Sequence, residues 1–175
     1  MNTLYLKKKF EKIKKQFLEK QYNEVIEDCI LILRNNNVDV FYNLLCLAYN
    51  NKGETYKAID IMNEALKKNS KNVDFLNNLG MFYSNIYDYK KAEEKYKKGL
   101  EIEKNNLSLL NNLANLKKDL DQTDEAVNIY EKILSIKSDS LLVMYNLAGL
   151  YNSLGKLEKS KKLYFQMLEI KPDFT

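Results

Sequence analysis

Hydrophobic positions recur along the chain with a period of 34 residues. Around one leucine in each period, apolar residues fall three and four positions apart, which is the spacing of a single α-helical face. A small residue follows each leucine, and a second amphipathic stretch with its own small residue begins about a dozen positions later. A fixed period of this length predicts an array of repeated helix pairs. The period is marked by Leu45, Leu79, Leu113 and Leu147, and in the second stretch by Ala58, Ala92, Ala126 and Ser160.

The same spacing predicts where helices begin and end. Two helices are expected before residue 36, and eight more follow in four pairs. Residues suited to helix caps separate them. These cap candidates are Gly53, Asn72, Asp88, Asn106, Asp121, Ser140 and Gly155. The eight helices are expected near 39–52, 55–68, 73–86, 89–102, 107–120, 123–136, 141–154 and 157–170.

The chain divides accordingly into one irregular segment and four regular units. The irregular segment is a degenerate repeat or capping helix pair, because its first helix is rich in lysine and its spacing slips by a residue or two. The last unit looks open at its C-terminal end. The expected segments are 1–38, 39–72, 73–106, 107–140 and 141–175.

Stretches such as "LNNLGMFY" and "KKAEEKYKKGL" carry the signature leucine, small and aromatic positions of one unit. They resemble the tetratricopeptide repeat, and the resemblance covers nearly the whole chain. It implies an all-α, right-handed superhelical solenoid of antiparallel helix pairs, with first helices lining the concave face. A single pair cannot bury its apolar face alone, so stacking of the units supplies the core.

Composition argues against catalysis. The chain has no histidine and no glycine-rich phosphate loop, so imidazole-based metal sites and Ser-His or Cys-His nucleophile systems are excluded. We expect no catalytic residue, no metal and no cofactor. Cys29 and Cys46 lie in apolar helical stretches and are interpreted as buried, reduced thiols. The absence of any long apolar stretch predicts no membrane span, and we expect a cytoplasmic protein.

Charge is concentrated at the N-terminus. Residues 1–20 carry seven lysines against two glutamates, whereas the rest of the chain is nearly neutral. A basic helix of this kind suits an acidic partner, an anionic membrane or a nucleic acid, but the favoured interpretation is a solvated face on a capping helix. In that case Phe10, Ile13 and Phe17 point inward. The nearly neutral array argues against a nucleic-acid groove.

Asparagine is distributed unevenly between the two helices of each unit. The four first-helix windows hold eleven asparagines and the four second-helix windows of equal length hold two, Asn63 and Asn128. Asparagine is a mediocre helix former, because its side chain competes for the backbone. A compositional bias would load both helices alike, so the pattern favours a functional face.

We therefore expect an extended peptide to bind along the first helices. An amide side chain offers both donor and acceptor to a peptide backbone. Asn78, Asn112 and Asn146 share one repeat position, and this arrangement is similar to the asparagine ladder in the repeats of protein O-GlcNAc transferase; the first unit departs with Leu44. The expected contact residues are Asn43, Asn77, Asn78, Met81, Asn111, Asn112, Asn115, Tyr145 and Asn146.

The sequence thus predicts a non-enzymatic scaffold whose partner is a protein or peptide. The alternative is the repeat region of a larger glycosyl- or sulfotransferase, serving substrate recruitment. A carboxylate clamp, the rival mode within the family, is rejected because the clamp cations are missing. The positions where such cations would stand hold Val40, Asn43, Asp74, Asn78, Ser108 and Asn112.

The last predicted helix is apolar on more than one side, and residues 173–175 resemble the start of a further helix. Terminal repeats need a polar outer face or a cap. Two outcomes are consistent with this end: a natural chain that continues, or a homo-oligomer formed through the C-terminal repeat.

Overall fold

The computed structural model describes residues 3–173, and that part of the chain forms ten α-helices and no β-strand. The fold class is all-α, and short turns join the helices into antiparallel pairs. The helices are α1 (Thr3–Leu18), α2 (Tyr22–Leu33), α3 (Asp39–Asn51), α4 (Thr55–Lys68), α5 (Val73–Asn85), α6 (Tyr89–Ile102), α7 (Leu107–Asp119), α8 (Thr123–Ile136), α9 (Leu141–Ser153) and α10 (Leu157–Ile170).

The predicted helix boundaries are confirmed. All eight repeat helices begin at the predicted residue, and the four first helices end one residue earlier than predicted. Asn72 and Asn106 act as N-caps, each accepting a hydrogen bond from the backbone N–H three residues later. Ser140 occupies the N-cap position of α9 without a capping hydrogen bond from its side chain. The chain leaves α10 at Lys171, and Phe174 and Thr175 lie outside the described residues.

Contacts divide the chain into two compact units, unit 1 (Met1–Lys95) and unit 2 (Tyr96–Thr175). The core of unit 1 joins α1, α2 and α3 around Ile13, Val25 and Phe41. Phe10 and Phe17 pack against this core, so the inward face expected of the lysine-rich helix is confirmed. The lysines of α1 stand on the opposite side of the helix, which is largely exposed.

The core of unit 2 is built by α7, α8 and α9, with α10 packed on α9. Its largest buried side chain is Tyr130, which is fully inaccessible to solvent. The signature residues Ala114, Ala126 and Ala148 are also fully buried, and their small side chains let the helices approach closely.

The corner of each helix pair has one backbone geometry. One residue adopts a left-handed conformation, and the N–H of the next residue donates to the carbonyl oxygen five residues back, as Glu54 does to Tyr49. This is the Schellman motif, which satisfies carbonyl groups left free at a helix end. It explains why the first helices stop one residue early. The left-handed residues are Lys20, Gly53, Tyr87, Asp121 and Gly155.

Candidate functional site

The predicted contact residues of unit 1 lie on α3 and α5. Asn78 Nδ2 donates a hydrogen bond to Asn43 Oδ1 at 2.9 Å, which ties the two first helices together across the repeat. Both side chains are half-buried, as are those of Asn77 and Met81. The structure therefore brings Asn43 and Asn78 into direct contact.

A second amide pair lies two helical turns further along. Asn85 Nδ2 donates to Asn50 Oδ1 at 3.1 Å, and Thr55 Oγ1 donates to the same oxygen at 3.0 Å. These two asparagines are not among the contact residues expected from the sequence. The signal that finds them is their 35-residue separation, the same as that between Asn43 and Asn78.

In unit 2 the amides bond differently. The buried hydroxyl of Tyr130, on α8, donates to Asn115 Oδ1 on α7 at 2.6 Å. Asn146, on α9, hydrogen-bonds to the same hydroxyl. Burial raises the pKa of Tyr130 to about 12, with a smaller contribution from the Asp119 carboxylate, while the bond from Asn146 opposes the rise. The phenol thus stays neutral and brings Asn115 and Asn146 together.

Asn111, also on α7, stands apart from this network. Its Oδ1 atom is buried and has no hydrogen-bond partner within the structure. The side chain lines a cavity of about 250 Å³, together with Ser108, Lys137, Ser140 and Leu142. Asn112 is half-buried and makes its own polar or electrostatic contacts. Tyr145 is 53% exposed, and its ring meets that of Tyr164 edge-on, with 6.5 Å between centroids.

In each unit these residues offer amide and hydroxyl groups rather than acids, bases or nucleophiles. An amide carries two N–H donors and a carbonyl oxygen with two lone pairs, so a single bond leaves capacity for a second partner. Among residues 3–173, no group of three or more histidine, cysteine or carboxylate residues is placed to hold a metal ion. These groups can form hydrogen bonds to a polar ligand.

Charged groups near the helix corners are paired with each other. Hydrogen bonds from Lys57 and Lys52 lower the pKa of Glu54, and the bond from Lys91 lowers that of Asp88. Of the helices within residues 3–173, none is both long and apolar enough to cross a bilayer.

Models of known families match two stretches of the sequence. Two tetratricopeptide repeat models match residues 61–94 and residues 119–175. The chain contains tetratricopeptide repeats. Proteins built from this repeat are generally protein-interaction scaffolds rather than catalysts. Among curated protein sequences there is no significant match.

Solved tetratricopeptide repeat structures share the fold. MamA is 25% identical, covering 72% of this chain and 74% of its own, with a TM-score of 0.65. PilF of Pseudomonas aeruginosa is 14% identical, covering 93% of this chain and 75% of its own, with a TM-score of 0.82. A thermophilic tetratricopeptide repeat protein of Thermus thermophilus is 15% identical, covering 95% and 92%, with a TM-score of 0.78.

Proposed function

We propose that this chain is a non-enzymatic scaffold that binds an extended peptide segment of a partner protein along the asparagine-bearing face of its first helices. The family resemblance assigns this face to the concave side of the repeat. The amides bind the peptide backbone, and neighbouring side chains such as Met81 and Tyr145 select its side chains. The ladder similar to that of protein O-GlcNAc transferase is part of this proposal.

The observation that carries the proposal is the unpartnered oxygen of Asn111. A buried acceptor left without a hydrogen bond costs about 1–3 kcal/mol. Replacement by leucine would remove that cost, and a ligand that bonds to the amide would explain why asparagine stands here. A peptide N–H donor would satisfy the oxygen, after a small shift of the side chains that cover it.

The amides of unit 1 support the same proposal through their remaining capacity. The bond between Asn78 and Asn43 uses one N–H of the first and one lone pair of the second. The carbonyl oxygen of Asn78 can still accept a hydrogen bond from an extended backbone, and the amide nitrogen of Asn43 can still donate one to it. The bond also fixes the two side chains, which lowers the entropy lost on binding.

The proposal also includes a cellular location and self-association. We propose a cytoplasmic location, because Cys29 and Cys46 are free, fully buried thiols, the form in which cysteines persist in reducing compartments. Desolvation raises the pKa of both thiols to about 12, so neither is a ready nucleophile.

We also propose self-association through α10. Tyr164 is 40% exposed, whereas the residues at the same repeat position in α4 and α8, Met62 and Tyr130, are fully buried. The neighbouring Phe165 is 66% exposed. Light scattering should show an average mass that rises with concentration and falls on Phe165→Glu. Leu18→Glu, at a 72% exposed site on α1, is the matched control. A strictly monomeric wild-type chain would contradict this part of the proposal.

The peptide proposal is tested by selecting binders from a random dodecapeptide library and measuring their affinity by calorimetry. Replacing Asn78, Asn112 and Asn146 together by alanine should weaken binding at least tenfold. Three lost hydrogen bonds of about 1 kcal/mol each allow a larger effect.

The matched control is the double variant Asn63→Ala and Asn128→Ala, which removes the two asparagines of the second helices. This control should bind as the wild type does. Equal weakening by both variants, or normal binding by the triple variant, would contradict the assignment of the site.

A further inference from the structure

A second groove lies in unit 1, at the helix corners rather than on the asparagine-bearing face. It has a volume of about 550 Å³. Ile59 and Tyr83 are 6% and 9% exposed and form its base, whereas Tyr56 and Tyr87 are 71% and 77% exposed and stand at its rim. Two large aromatic side chains thus remain in water beside an apolar base.

The rim tyrosines break the pattern of the repeat. At the position of Tyr56 the other repeats carry Lys90, Asp124 and Glu158. At the position of Tyr87 they carry Gly53, Asp121 and Gly155. Both positions are exposed, so packing does not require an aromatic residue at either one. The aromatic pair is a local property of this groove and no part of the repeat's own architecture.

Tyr87 also costs backbone energy. Its φ of 61° lies in the left-handed region, where the equivalent positions of two other corners have glycine. For a bulky side chain this conformation is an outlier. Its main compensation is an edge-on contact with Tyr89, at 6.0 Å between ring centroids. Residues held in unfavourable backbone geometry without a packing reason point to function.

The two charged residues of the groove form an ion pair with each other. Lys91 Nζ lies 2.7 Å from Asp88 Oδ2 and 5.3 Å from the centroid of Tyr83. The groove therefore presents no net charge, and the internal ammonium already occupies the face of the buried ring. Charge complementarity favours an uncharged ligand. The rim supplies ring faces for apolar contact and two hydroxyl groups that donate to carbonyl oxygens.

We propose that this groove binds a proline-rich extended segment of a partner protein. Proline rings stack on tyrosine faces, and a polyproline II backbone exposes carbonyl acceptors while offering few N–H donors. Such a segment is extended before it binds, so little conformational entropy is lost. Tyr56 and Tyr87 hold it, and their hydroxyls donate to its carbonyl groups.

Fluorescence anisotropy with a fluorescein-labelled deca-proline peptide tests this inference on the full chain. The wild type should bind the peptide, and Tyr56→Ala and Tyr87→Gly should each weaken binding at least tenfold. Tyr87→Gly should also raise the melting temperature, because glycine relieves the left-handed strain. Loss of affinity in a more stable variant excludes misfolding as its cause. Tyr5→Ala, at a 42% exposed tyrosine on α1, is the matched control and should bind normally.

The competing ligand is a cationic segment, represented by a deca-arginine peptide, and a Gly-Ser decapeptide is the neutral control. Failure of the wild type to bind deca-proline overturns the inference, and so does tyrosine-dependent binding of deca-arginine alone. Replacing Asn78, Asn112 and Asn146 by alanine should leave deca-proline binding unchanged. If that triple variant loses the peptide, the ligand occupies the asparagine-bearing face and the groove is wrongly assigned.

Discussion

The two units place asparagine at the same repeat positions and bond it differently. In unit 1, Asn78 donates to Asn43 across 35 residues. The equivalent bond in unit 2 would join Asn146 to Asn111, but Asn146 bonds to the hydroxyl of Tyr130 and Asn111 Oδ1 has no partner. Asn43 and Asn78 bond to each other in unit 1, whereas in unit 2 the Asn111 oxygen has no partner within the structure.

The cause lies in the second helices. The position of Tyr130 is occupied in unit 1 by Met62, which is equally buried but has no hydroxyl to satisfy. A buried phenol needs hydrogen-bond partners, and Asn115 and Asn146 supply them. The repeat position fixes where an amide stands, and a neighbouring core residue decides what it bonds.

The contacts between the two helices of a pair follow the same rule, because one repeat position makes different contacts in different pairs. In unit 1, Lys57 and Lys91 stand over the rings of Tyr49 and Tyr83 at 5.6 and 5.3 Å. The equivalent residues of the first pair in unit 2 are Lys117 and Glu125, whose charged groups lie 3.0 Å apart. The second pair of unit 2 again has the lysine over the ring, with Lys159 at 5.1 Å from the centroid of Tyr151. The ion pair, with its basic member on the opposite helix, is therefore specific to α7 and α8.

The largest effect on stability is expected when the ion pair between Lys117 and Glu125 is broken. Glu125→Lys places two ammonium groups together, one of them on the 5% exposed side chain of Lys117. The loss of a charge-assisted bond should lower the free energy of unfolding by about 2 kcal/mol, as measured by urea denaturation. Adding Lys117→Tyr recreates the tyrosine–lysine pair of the other helix pairs and should restore most of the stability. A double variant as unstable as the sum of its single variants would show that the two positions are not coupled.

Leucine substitutions at two equivalent positions should have opposite signs. Asn111→Leu removes an unsatisfied buried acceptor and should raise stability by about 1 kcal/mol. Asn43→Leu, two repeats earlier, removes the acceptor of the hydrogen bond from Asn78 Nδ2 and should lower stability by about 1 kcal/mol. Thermal unfolding of the two variants side by side checks the pair. Shifts of the same sign would refute the difference between the units.

A pH-dependent effect is expected in alkali. The pKa of Tyr130 rises to about 12 in the fold from an ordinary value of 10, so its neutral form is favoured by folding. Its contribution to stability is complete below pH 10 and is lost as the pH rises toward 12. Tyr130→Phe should therefore flatten the decline of stability across this range by less than about 1.4 kcal/mol per pH unit, the limit for one titrating group.

Cys29 and Cys46 in unit 1, with the same sign of shift, should keep part of that decline in the Tyr130→Phe variant. The matched control is Tyr56→Phe, which changes an exposed phenol and should leave the pH dependence as it is. A profile of Tyr130→Phe that superimposes on that of the wild type would contradict the buried hydroxyl network.

Most of the fold follows from the sequence, because a 34-residue hydrophobic period fixes helix lengths and cap positions together. The candidate site followed only as a set of positions. The pairing of Asn78 with Asn43 depends on side-chain geometry across a repeat, and the bond from Asn146 depends on a hydroxyl sixteen residues away on another helix. Sequence periodicity carries no information on either distance. Tyr87 was missed because the sequence analysis named its neighbour Asp88 as the cap candidate of that corner.

Side-chain amide spectra of the ¹⁵N-labelled chain, recorded while a selected peptide is added, show whether the asparagines of the first helices bind the ligand. Each asparagine contributes its own pair of NH₂ resonances, so the second-helix residues Asn63 and Asn128 serve as internal controls. We expect the resonances of Asn78, Asn111, Asn112 and Asn146 to shift on binding while those of the two controls stay in place. Shifts confined to the controls, or bound peptide with the first-helix amides unmoved, would contradict it.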